Sequence, residues 1–157
     1  MPASGPKGRT DIRAITIARD GTWFFNGAEI IRRDILELFF KHLHCDDEGY
    51  YIEIGTARGY LDVEDTVFLV VQATLVRGKK EGFFVRLNDG TEELLDLTRF
   101  WIGRNNIPYC MVKDGKFPAR FLRVPYYEVA KHAEYDEAAG EYYLVLNGQR
   151  FTIHVTA

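Results

Sequence analysis

Residues 20–63 read DGTWFFNGAEIIRRDILELFFKHLHCDDEGYYIEIGTARGYLDV, and this stretch decides the fold class. It opens on an Asp-Gly turn dipeptide, and the β-branched and aromatic residues 22–25 favour a strand. Apolar residues then recur at helical spacing over residues 28–44, which predicts a helix that is buried on more than one side. Residues 50–54 and 60–63 read as the two strands of a hairpin. This order of elements predicts an α+β fold with mainly antiparallel sheets.

A second stretch, residues 114–155, repeats this pattern near the C-terminus. At an offset of 91 the two stretches match without a gap at Arg32 and Arg123, Glu37 and Glu128, Gly49 and Gly140, and Tyr51 and Tyr142. Such self-similarity predicts an internal duplication of one strand-helix-hairpin motif. We therefore predict a flexible tail over residues 1–10, a first motif over residues 11–77, and a second motif over residues 78–157 that packs on the first as one compact unit.

The strand pattern continues through the second half of the chain. Residues 66–77 are almost continuously apolar, which predicts a strand in the middle of a sheet. Residues 107–112 form a strand that carries a proline, which favours an edge or a bulge. Pro125 suits the first turn of the second helix, and residues 142–155, with Asn-Gly at the turn, give the clearest hairpin signal.

Length and composition limit the class of protein. The chain has 157 residues, of which 46% are hydrophobic and 14% aromatic, so it can bury a core and is not of the disordered class. Its net charge of −3 argues against a general nucleic-acid coat, and no apolar run is long enough to span a membrane. Two distant cysteines and a polar N-terminus indicate neither a disulfide framework nor a secretion signal. We therefore predict a cytoplasmic protein with no membrane partner and no sequence-specific nucleic-acid partner.

Signatures of catalysis are missing from the sequence. There is no phosphate-binding loop and no dinucleotide-binding glycine pattern, and the only serine, Ser4, lies in the predicted tail, which excludes a serine nucleophile elbow. His42, His44 and Cys45 offer metal-ligand side chains, but the two histidines would point in different directions on a helix. We interpret these three residues as a helix end, with a reactive Cys45 thiol as the alternative. We predict no catalytic residue and no bound metal ion, and no feature of the sequence indicates a particular cofactor.

Three acidic residues follow a predicted strand. Because side chains alternate along a strand, Asp62 and Glu64 would share one face while Asp65 points away. Paired carboxylates can bind a cation or carry out acid–base chemistry. The alternative is a set of ordinary turn acids, or acids that pair with an arginine.

The matched arginines Arg32 and Arg123 each stand at the entrance of a predicted helix, where the helix dipole disfavours a cation. Their position indicates an anionic partner. That partner is either a carboxylate, with Glu37 and Glu128 as candidates for a bridge between the copies, or the phosphate of a ligand.

Charge is distributed unevenly along the chain. Residues 34–65 carry nine acids and two bases, whereas residues 99–131 carry seven bases and two acids. These two regions could simply attract each other. Alternatively, the basic region, which includes Arg120 and is interleaved with Trp101 and Tyr109, holds an anionic aromatic ligand such as a nucleotide, because aromatic rings stack on bases and basic side chains hold phosphates.

The runs DGTWFFNGAEIIRRDILELFFKHL, CDDEGYYIEI and YLDVEDTVFLVV, in this order, resemble an uncharacterised bacterial family, domain of unknown function 1285. The resemblance is best over residues 17–71 and looser over residues 110–155, where FLRVPYYEVA is similar to the family's second helix. It implies two repeated α+β motifs, the C-terminal one like a pleckstrin-homology fold. It also implies a groove between the motifs for a nucleotide-like ligand, with a role in signalling and no established activity.

We therefore predict a non-enzymatic module that binds a small anionic, nucleotide-like ligand between the two motifs. The candidate ligand-binding residues are Arg32, Arg123, Asp62, Glu64, Asp65, Trp101 and Arg120. One alternative is a protein-interaction module that uses a sheet edge or a surface with Tyr50, Tyr51, Tyr142 and Tyr143. The last alternative is an enzyme that uses a metal ion held by Asp62 and Glu64.

Overall fold

The structure is a computed structural model that describes residues 14–156, so the predicted tail over residues 1–10 lies outside the described residues. The chain divides into two compact units, the first ending at Val67 and the second beginning at Phe68. This boundary comes before the apolar strand that the sequence assigned to the first motif. The reason is that this strand forms its ladders with strands that follow it in the chain.

The first unit contains two small sheets and one helix. Its elements are β1 (Ile15–Ile17), β2 (Trp23–Phe25), β3 (Ala28–Glu29), α1 (Arg33–Lys41), β4 (Leu43–Asp46), β5 (Gly49–Ile54), β6 (Ala57–Tyr60) and β7 (Asp62–Val63). Strands β3, β2, β1 and β7 form a sheet in that order, and only the pair of β1 with β7 is parallel. Strands β4, β5 and β6 form an antiparallel sheet. Ile15, Ile17 and Trp23 face the core from the four-stranded sheet.

The second unit is built around a seven-stranded sheet. Its elements are β8 (Phe68–Val76), β9 (Gly82–Leu87), β10 (Glu92–Leu94), a 3-10 turn (Leu97–Arg99), β11 (Phe100–Ile102), a second 3-10 turn (Arg104–Asn106), β12 (Pro108–Val112), β13 (Phe117–Phe121), α2 (Arg123–Ala130), β14 (Glu134–Asp136), β15 (Glu141–Leu146), β16 (Gln149–Thr152) and β17 (His154–Val155). The strand order of the large sheet is β10-β9-β8-β13-β12-β11-β17, and β14, β15 and β16 form a small antiparallel sheet. The prediction that residues 66–77 form a mid-sheet strand is confirmed by the position of β8. The α+β fold class is confirmed as well.

The two units share one order of elements and pairings. In the first unit β1, β2 and β3 pair in sequence, α1 follows, three strands form a small sheet, and the last strand, β7, returns to pair in parallel with β1. In the second unit β11 to β13, α2, β14 to β16 and β17 do the same, and β17 pairs in parallel with β11. An internal duplication would produce this shared arrangement. The duplication itself stays a prediction, and so does the likeness of the second unit to a pleckstrin-homology fold.

Helix α1 is shorter than the predicted helix over residues 28–44. Asn26 and Gly27 have φ angles of 51° and 85°, which form a two-residue hairpin turn. The chain after this turn pairs back on β2 through Ala28, so the helix begins only at Arg33. Beyond the helix, Leu43 enters strand β4 instead of a last helical turn.

The expected burial of this helix on more than one side is also wrong. No residue of α1 is fully buried, and Leu38 is 44% exposed. The helix is anchored by one side, where the rings of Phe39 and Phe40 lie 5.9 and 5.1 Å from the ring of Trp23. The helical spacing of apolar residues marks α1 correctly, but it does not tell which of those residues find a partner.

Two prolines and one hairpin test the other local predictions. Of the two positions predicted for the proline end of residues 107–112, an edge or a bulge, the edge is wrong, because β12 lies between β11 and β13. Pro108 is accommodated there as the first residue of the strand. Pro125 lies in the first turn of α2 as predicted, and Asn147 and Gly148, both at positive φ, form the predicted turn of the β15–β16 hairpin.

A largely buried ion pair ties the turn after β9 to the turn after β12. Lys113 Nζ lies 2.8 Å from Asp89 Oδ2, and the two side chains are only 28% and 9% exposed. Thr91 donates to Asp89 Oδ1 from its amide at 3.0 Å and from its hydroxyl at 2.6 Å. Burial raises the pKa of Asp89, but the hydrogen bonds from Lys113 and Thr91 lower it more, so its pKa falls below the usual value.

No helix within residues 14–156 has the length and the apolar composition that crossing a bilayer requires.

Candidate functional site

An open cleft of about 620 Å³ lies on the first unit, over its four-stranded sheet. Its floor is a row of three side chains, because β1 pairs Thr16 with Phe24 of β2 on one side and with Asp62 of β7 on the other. The lining is completed mainly by Tyr50, Leu61, Val63 and Glu64. The volume falls within the range of roughly 300–1,000 Å³ that is usual for small-molecule sites.

Strand alternation explains which side chains form this row. In β1 the two isoleucines face the core, so Thr16 faces outward. In β2 Trp23 is buried and Phe24 is turned to the cleft. The parallel pairing of β7 adds Asp62. The amide of Glu64, two residues further along, donates to the carbonyl of Ile17 at 2.9 Å, which holds Glu64 against the same sheet.

The charged side chains that line the cleft are acidic. Asp62 and Glu64 are exposed, and neither carboxylate forms an ion pair or a side-chain hydrogen bond within residues 14–156. No arginine or lysine is among the described residues that line the cleft. Burial raises the pKa of Tyr50 to about 12, with smaller contributions from the charges of Cys45 and Asp65. The Tyr50 phenol therefore stays protonated at neutral pH beside the two carboxyl groups.

The three predicted acids divide between two environments. Asp62 and Glu64 line the cleft, whereas Asp65 is half-buried and does not line it. Asp65 acts instead as one of the charges that raise the pKa of Tyr50. Within the described part of the chain, no three or more His, Cys, Asp and Glu side chains are grouped so as to hold a metal ion.

The histidine and cysteine cluster at the end of α1 has no catalytic geometry. His42 caps the helix, while His44 lies on β4 with its ring 5.2 Å from the ring of Tyr51. Burial raises the pKa of Cys45, and the nearby charges of Asp46 and Asp47 raise it further. A reactive cysteine needs a lowered pKa, so the alternative of a reactive Cys45 thiol is not supported.

The matched arginines occupy different surroundings. Arg32 caps α1 and forms a bidentate pair with Asp34, at 3.1 Å from Nε and 2.6 Å from Nη2. This exposed pair raises the pKa of Arg32, through the hydrogen bond first and the charge second. Arg123 is the first residue of α2, and no side-chain partner for it is found among residues 14–156.

The bridging acids expected for these arginines have other roles. The partner of Arg32 is Asp34 and not Glu37, and Glu128 pairs with Lys131 at 3.0 Å. The expectation of a Glu37 or Glu128 bridge was therefore wrong for Arg32. Since Arg32 belongs to the first unit and Arg123 to the second, a site shared by the two remains a prediction.

Trp101 and Arg120 fall in one row of the seven-stranded sheet. Trp101 of β11 pairs with Tyr109 of β12, which pairs with Arg120 of β13. The three side chains therefore lie side by side on one face, and the rings of Trp101 and Tyr109 stack at 5.6 Å. His154 of β17 extends the row beyond Trp101. All three sheet residues are half-buried.

The tyrosines of the predicted interaction surface lie in the two small sheets. Arg58 stands 4.2 Å over the ring of Tyr51, and Arg150 stands 4.0 Å over the ring of Tyr143. Tyr142 packs against Tyr135 at 4.8 Å. Each small sheet thus carries an arginine on its third strand stacked on a tyrosine of its middle strand, an internal contact worth roughly 0.5–1 kcal/mol at an exposed site.

Sequence reasoning missed Thr16, Phe24 and Tyr50 as lining residues of the cleft. The alternation in β1 and β2 marks Thr16 and Phe24 as facing away from the core, and this signal was available. The parallel return of β7 to β1, which puts Asp62 beside them, has no local signal in the sequence.

Comparisons with known proteins agree on one likeness. Residues 5–66 match the family profile described as domain of unknown function (DUF1285), N-terminal domain. The crystal structure of a DUF1285 family protein from Silicibacter pomeroyi DSS-3 is 23% identical with a TM-score of 0.76, over 96% of this chain and 83% of that one. A DUF1285 family protein from Shewanella baltica OS155 is 20% identical with a TM-score of 0.65, over 78% of this chain and 94% of that one. At these identities the two crystal structures show a shared fold, and no curated protein matches the chain.

Proposed function

We propose that this chain, which carries the N-terminal domain of the DUF1285 family over residues 5–66, is a non-enzymatic module that binds a small molecule in the cleft of its first unit. The observation that carries this proposal is the pair of carboxylates of Asp62 and Glu64, which have no ion-pair partner within residues 14–156 and lie in a concavity with an apolar wall. A few convergent polar groups in a largely apolar cleft are the usual marks of a ligand site.

The ligand class that suits this cleft is a small organic cation with an apolar body. Asp62 and Glu64 would accept charge-assisted hydrogen bonds from an amine or a guanidine, while Phe24, Leu61 and Val63 would contact its apolar part. The described residues that line the cleft offer no positive charge to an anion, so the nucleotide-like ligand expected from the sequence does not suit this particular site. Both cysteines are free thiols, which suits the reducing cytoplasm where we place the protein, and a signalling role remains part of the proposal.

We expect phenethylamine and agmatine to raise the melting temperature of the protein in a concentration-dependent way, because a ligand of the folded state stabilises it by mass action. Replacing Asp62 with Asn, or Glu64 with Gln, should weaken binding by roughly tenfold to a hundredfold each, since a hydrogen bond to a charged group contributes about 1.5–3 kcal/mol. Isothermal titration calorimetry measures both effects.

Glu29→Gln and Glu37→Gln are the matched controls for these variants. Both residues are exposed in the same unit, lie outside the cleft and remove the same charge. Equal losses in the control and cleft variants would mean that only net charge attracts the amine. A protein that binds neither amine at millimolar concentration would contradict the proposed site.

A second candidate function is favoured by the row of Trp101, Tyr109 and Arg120 on the seven-stranded sheet. An aromatic pair beside an arginine fits the base and the phosphate of a nucleotide. The chain has only two tryptophans, so a Trp23→Phe variant leaves Trp101 as the single fluorescent reporter. We expect AMP to quench its fluorescence and to bind more tightly than adenosine, which lacks the phosphate.

The Trp101→Phe variant, in which Trp23 is the remaining tryptophan, is the control for this test. AMP should not quench its fluorescence. Arg120→Gln should remove the preference for AMP over adenosine. If millimolar AMP leaves the fluorescence of the Trp23→Phe variant unchanged, the nucleotide hypothesis fails for this surface while the cleft proposal is untouched.

A further inference from the structure

A second hollow, of about 550 Å³, lies on the second unit where β8, β9 and β10 meet. Its floor belongs to the outward face of the large sheet, where Phe84 pairs with Leu94 and Val76 pairs with Gly82. Phe84, Leu94 and Val76 are 45%, 58% and 42% exposed. The outward face of an antiparallel sheet is ordinarily polar, so three large apolar side chains in one concavity indicate a binding surface.

The rim of this hollow is positively charged. It contains Lys79, Lys80 and Glu81, which come from the loop between β8 and β9. The Glu81 carboxylate is occupied by Arg77, whose Nη1 lies 3.0 Å from Oε2. Lys79 and Lys80 have no ion-pair partner within the described part of the chain. Two unpaired ammonium groups therefore stand beside an apolar floor.

The loop that carries these lysines is held in place. The side chain of Asn147, in the turn of the β15–β16 hairpin, accepts from the amide of Glu81 at 2.7 Å and donates to its carbonyl at 2.9 Å. Glu81 in turn accepts through its carboxylate from the amide of Asn147 at 3.4 Å. A rim fixed in this way loses little conformational entropy when a ligand binds.

The apolar surface continues beyond the hollow. An adjoining pocket of about 280 Å³ shares Glu81, Gly82, Leu94 and Asn147 with it. Its further apolar lining is Leu95, Leu97, Leu146 and Phe151. A Cβ at Gly82 would lie 2.6 Å from Cδ1 of Leu94, so a larger residue there would displace the exposed Leu94 side chain. The charged rim, the exposed floor and the second pocket thus follow one another along the surface.

We propose that this surface binds a linear anionic amphiphile of the fatty-acid class. The carboxylate lies between Lys79 and Lys80, where charge-assisted hydrogen bonds hold it. The alkyl chain crosses Phe84 and Leu94 toward the adjoining pocket, and each methylene that it buries raises the affinity about fourfold. The complementary charge of the rim selects a carboxylate over a cationic or neutral head group. This site is independent of the acidic cleft on the first unit.

The test is a calorimetric titration of the full chain with dodecanoate below its micelle concentration. We expect saturable binding, and octanoate should bind more than about tenfold more weakly because it buries fewer methylenes. Lys79→Gln combined with Lys80→Gln should weaken dodecanoate binding by about tenfold or more. Lys41→Gln combined with Lys116→Gln removes the same charge from exposed residues outside the hollow and should leave binding unchanged.

The apolar contact is tested by Leu94→Ser, with Ile31→Ser as the control because Ile31 is also exposed but lies elsewhere. Only the Leu94 variant should lose affinity. The proposal is overturned if dodecyltrimethylammonium binds as tightly as dodecanoate, or if the two lysine pairs behave alike. It is also overturned if the chain binds phosphatidylglycerol vesicles but not monomeric dodecanoate, which would assign the surface to a membrane.

Discussion

Replacing Lys113 with methionine is expected to lower the free energy of unfolding by about 3–5 kcal/mol, because the change leaves the Asp89 carboxylate buried without its countercharge. The Asp89 side chain is 9% exposed, and its only cationic partner within residues 14–156 is Lys113, whose Nζ lies at 2.8 Å. The same ammonium also donates to Thr91 Oγ1 at 2.9 Å and lies 5.3 Å from the ring centre of Phe68. Urea denaturation followed by circular dichroism measures the loss.

The double variant Asp89→Asn with Lys113→Met distinguishes the effect of removing the whole ion pair from the effect of removing one partner. It removes both charges and should recover much of the stability, since an ion pair replaced as a whole costs far less than a pair broken on one side. If Lys113→Met unfolds at the same urea concentration as the wild type, the pair contributes nothing in solution.

The pH dependence of stability follows from the same carboxylate. The pKa of Asp89 is lowered in the folded state, so its stabilising contribution is complete above the unfolded pKa of about 3.9. That contribution is lost as the pH falls through the folded pKa. Asp89→Asn should therefore flatten the decline of stability below about pH 4, compared with the wild type.

Replacing Trp23 with alanine is expected to destabilise the first unit by about 3–5 kcal/mol, the usual cost of removing a large buried aromatic side chain. Trp23 is 3% exposed, and its ring is the surface on which Phe39 and Phe40 of α1 pack. Since no residue of α1 is fully buried, the helix depends on this contact. Hydrogen exchange should show α1 losing protection before the β4–β6 sheet does.

Trp23→Phe is the control for this variant. It keeps an aromatic ring against the helix and removes the indole Nε1, which is buried without a hydrogen-bond partner among residues 14–156. Its cost should stay below about 1.5 kcal/mol, the usual limit for a tolerated apolar exchange. An equal loss in both variants would show that the ring stacking on α1 is not what stabilises it.

Local sequence signals predicted the helices and strands better than they predicted which of these elements pair. Asp62 and Glu64, which strand alternation predicted to share one face, both line the cleft, and the apolar run of residues 66–77 correctly marked a mid-sheet strand. The helix was placed too early because Ile31 shares the helical spacing, yet Ile31 is 80% exposed and precedes the helix. Periodicity records which residues are apolar, and only tertiary pairing decides which of them are buried.

The candidate site shows the same limit. The acids of the cleft could be named from strand alternation, but Thr16 and Phe24 join them only through a parallel pairing between the first and last strands of the unit. The lysine-rimmed hollow was missed because the sequence records neither that Glu81 is neutralised by Arg77 nor that Asn147 holds the loop. Both sites are formed by contacts between residues that are distant in the chain.

The parallel return of β7 to β1, and of β17 to β11, has a consequence for biosynthesis. The ladder between β1 and β7 can form only after Asp62, the partner of Thr16, has been synthesised. The ladder between β11 and β17 likewise requires His154, the partner of Trp101. While a ribosome is still synthesising the end of a unit, the edge of its opening strand stays unpaired and available to other nascent chains. Closing such a distant pair is slow, because the entropy of the intervening loop is lost before the contact forms. Premature termination just before either closing strand should therefore yield aggregating fragments that occupy chaperones.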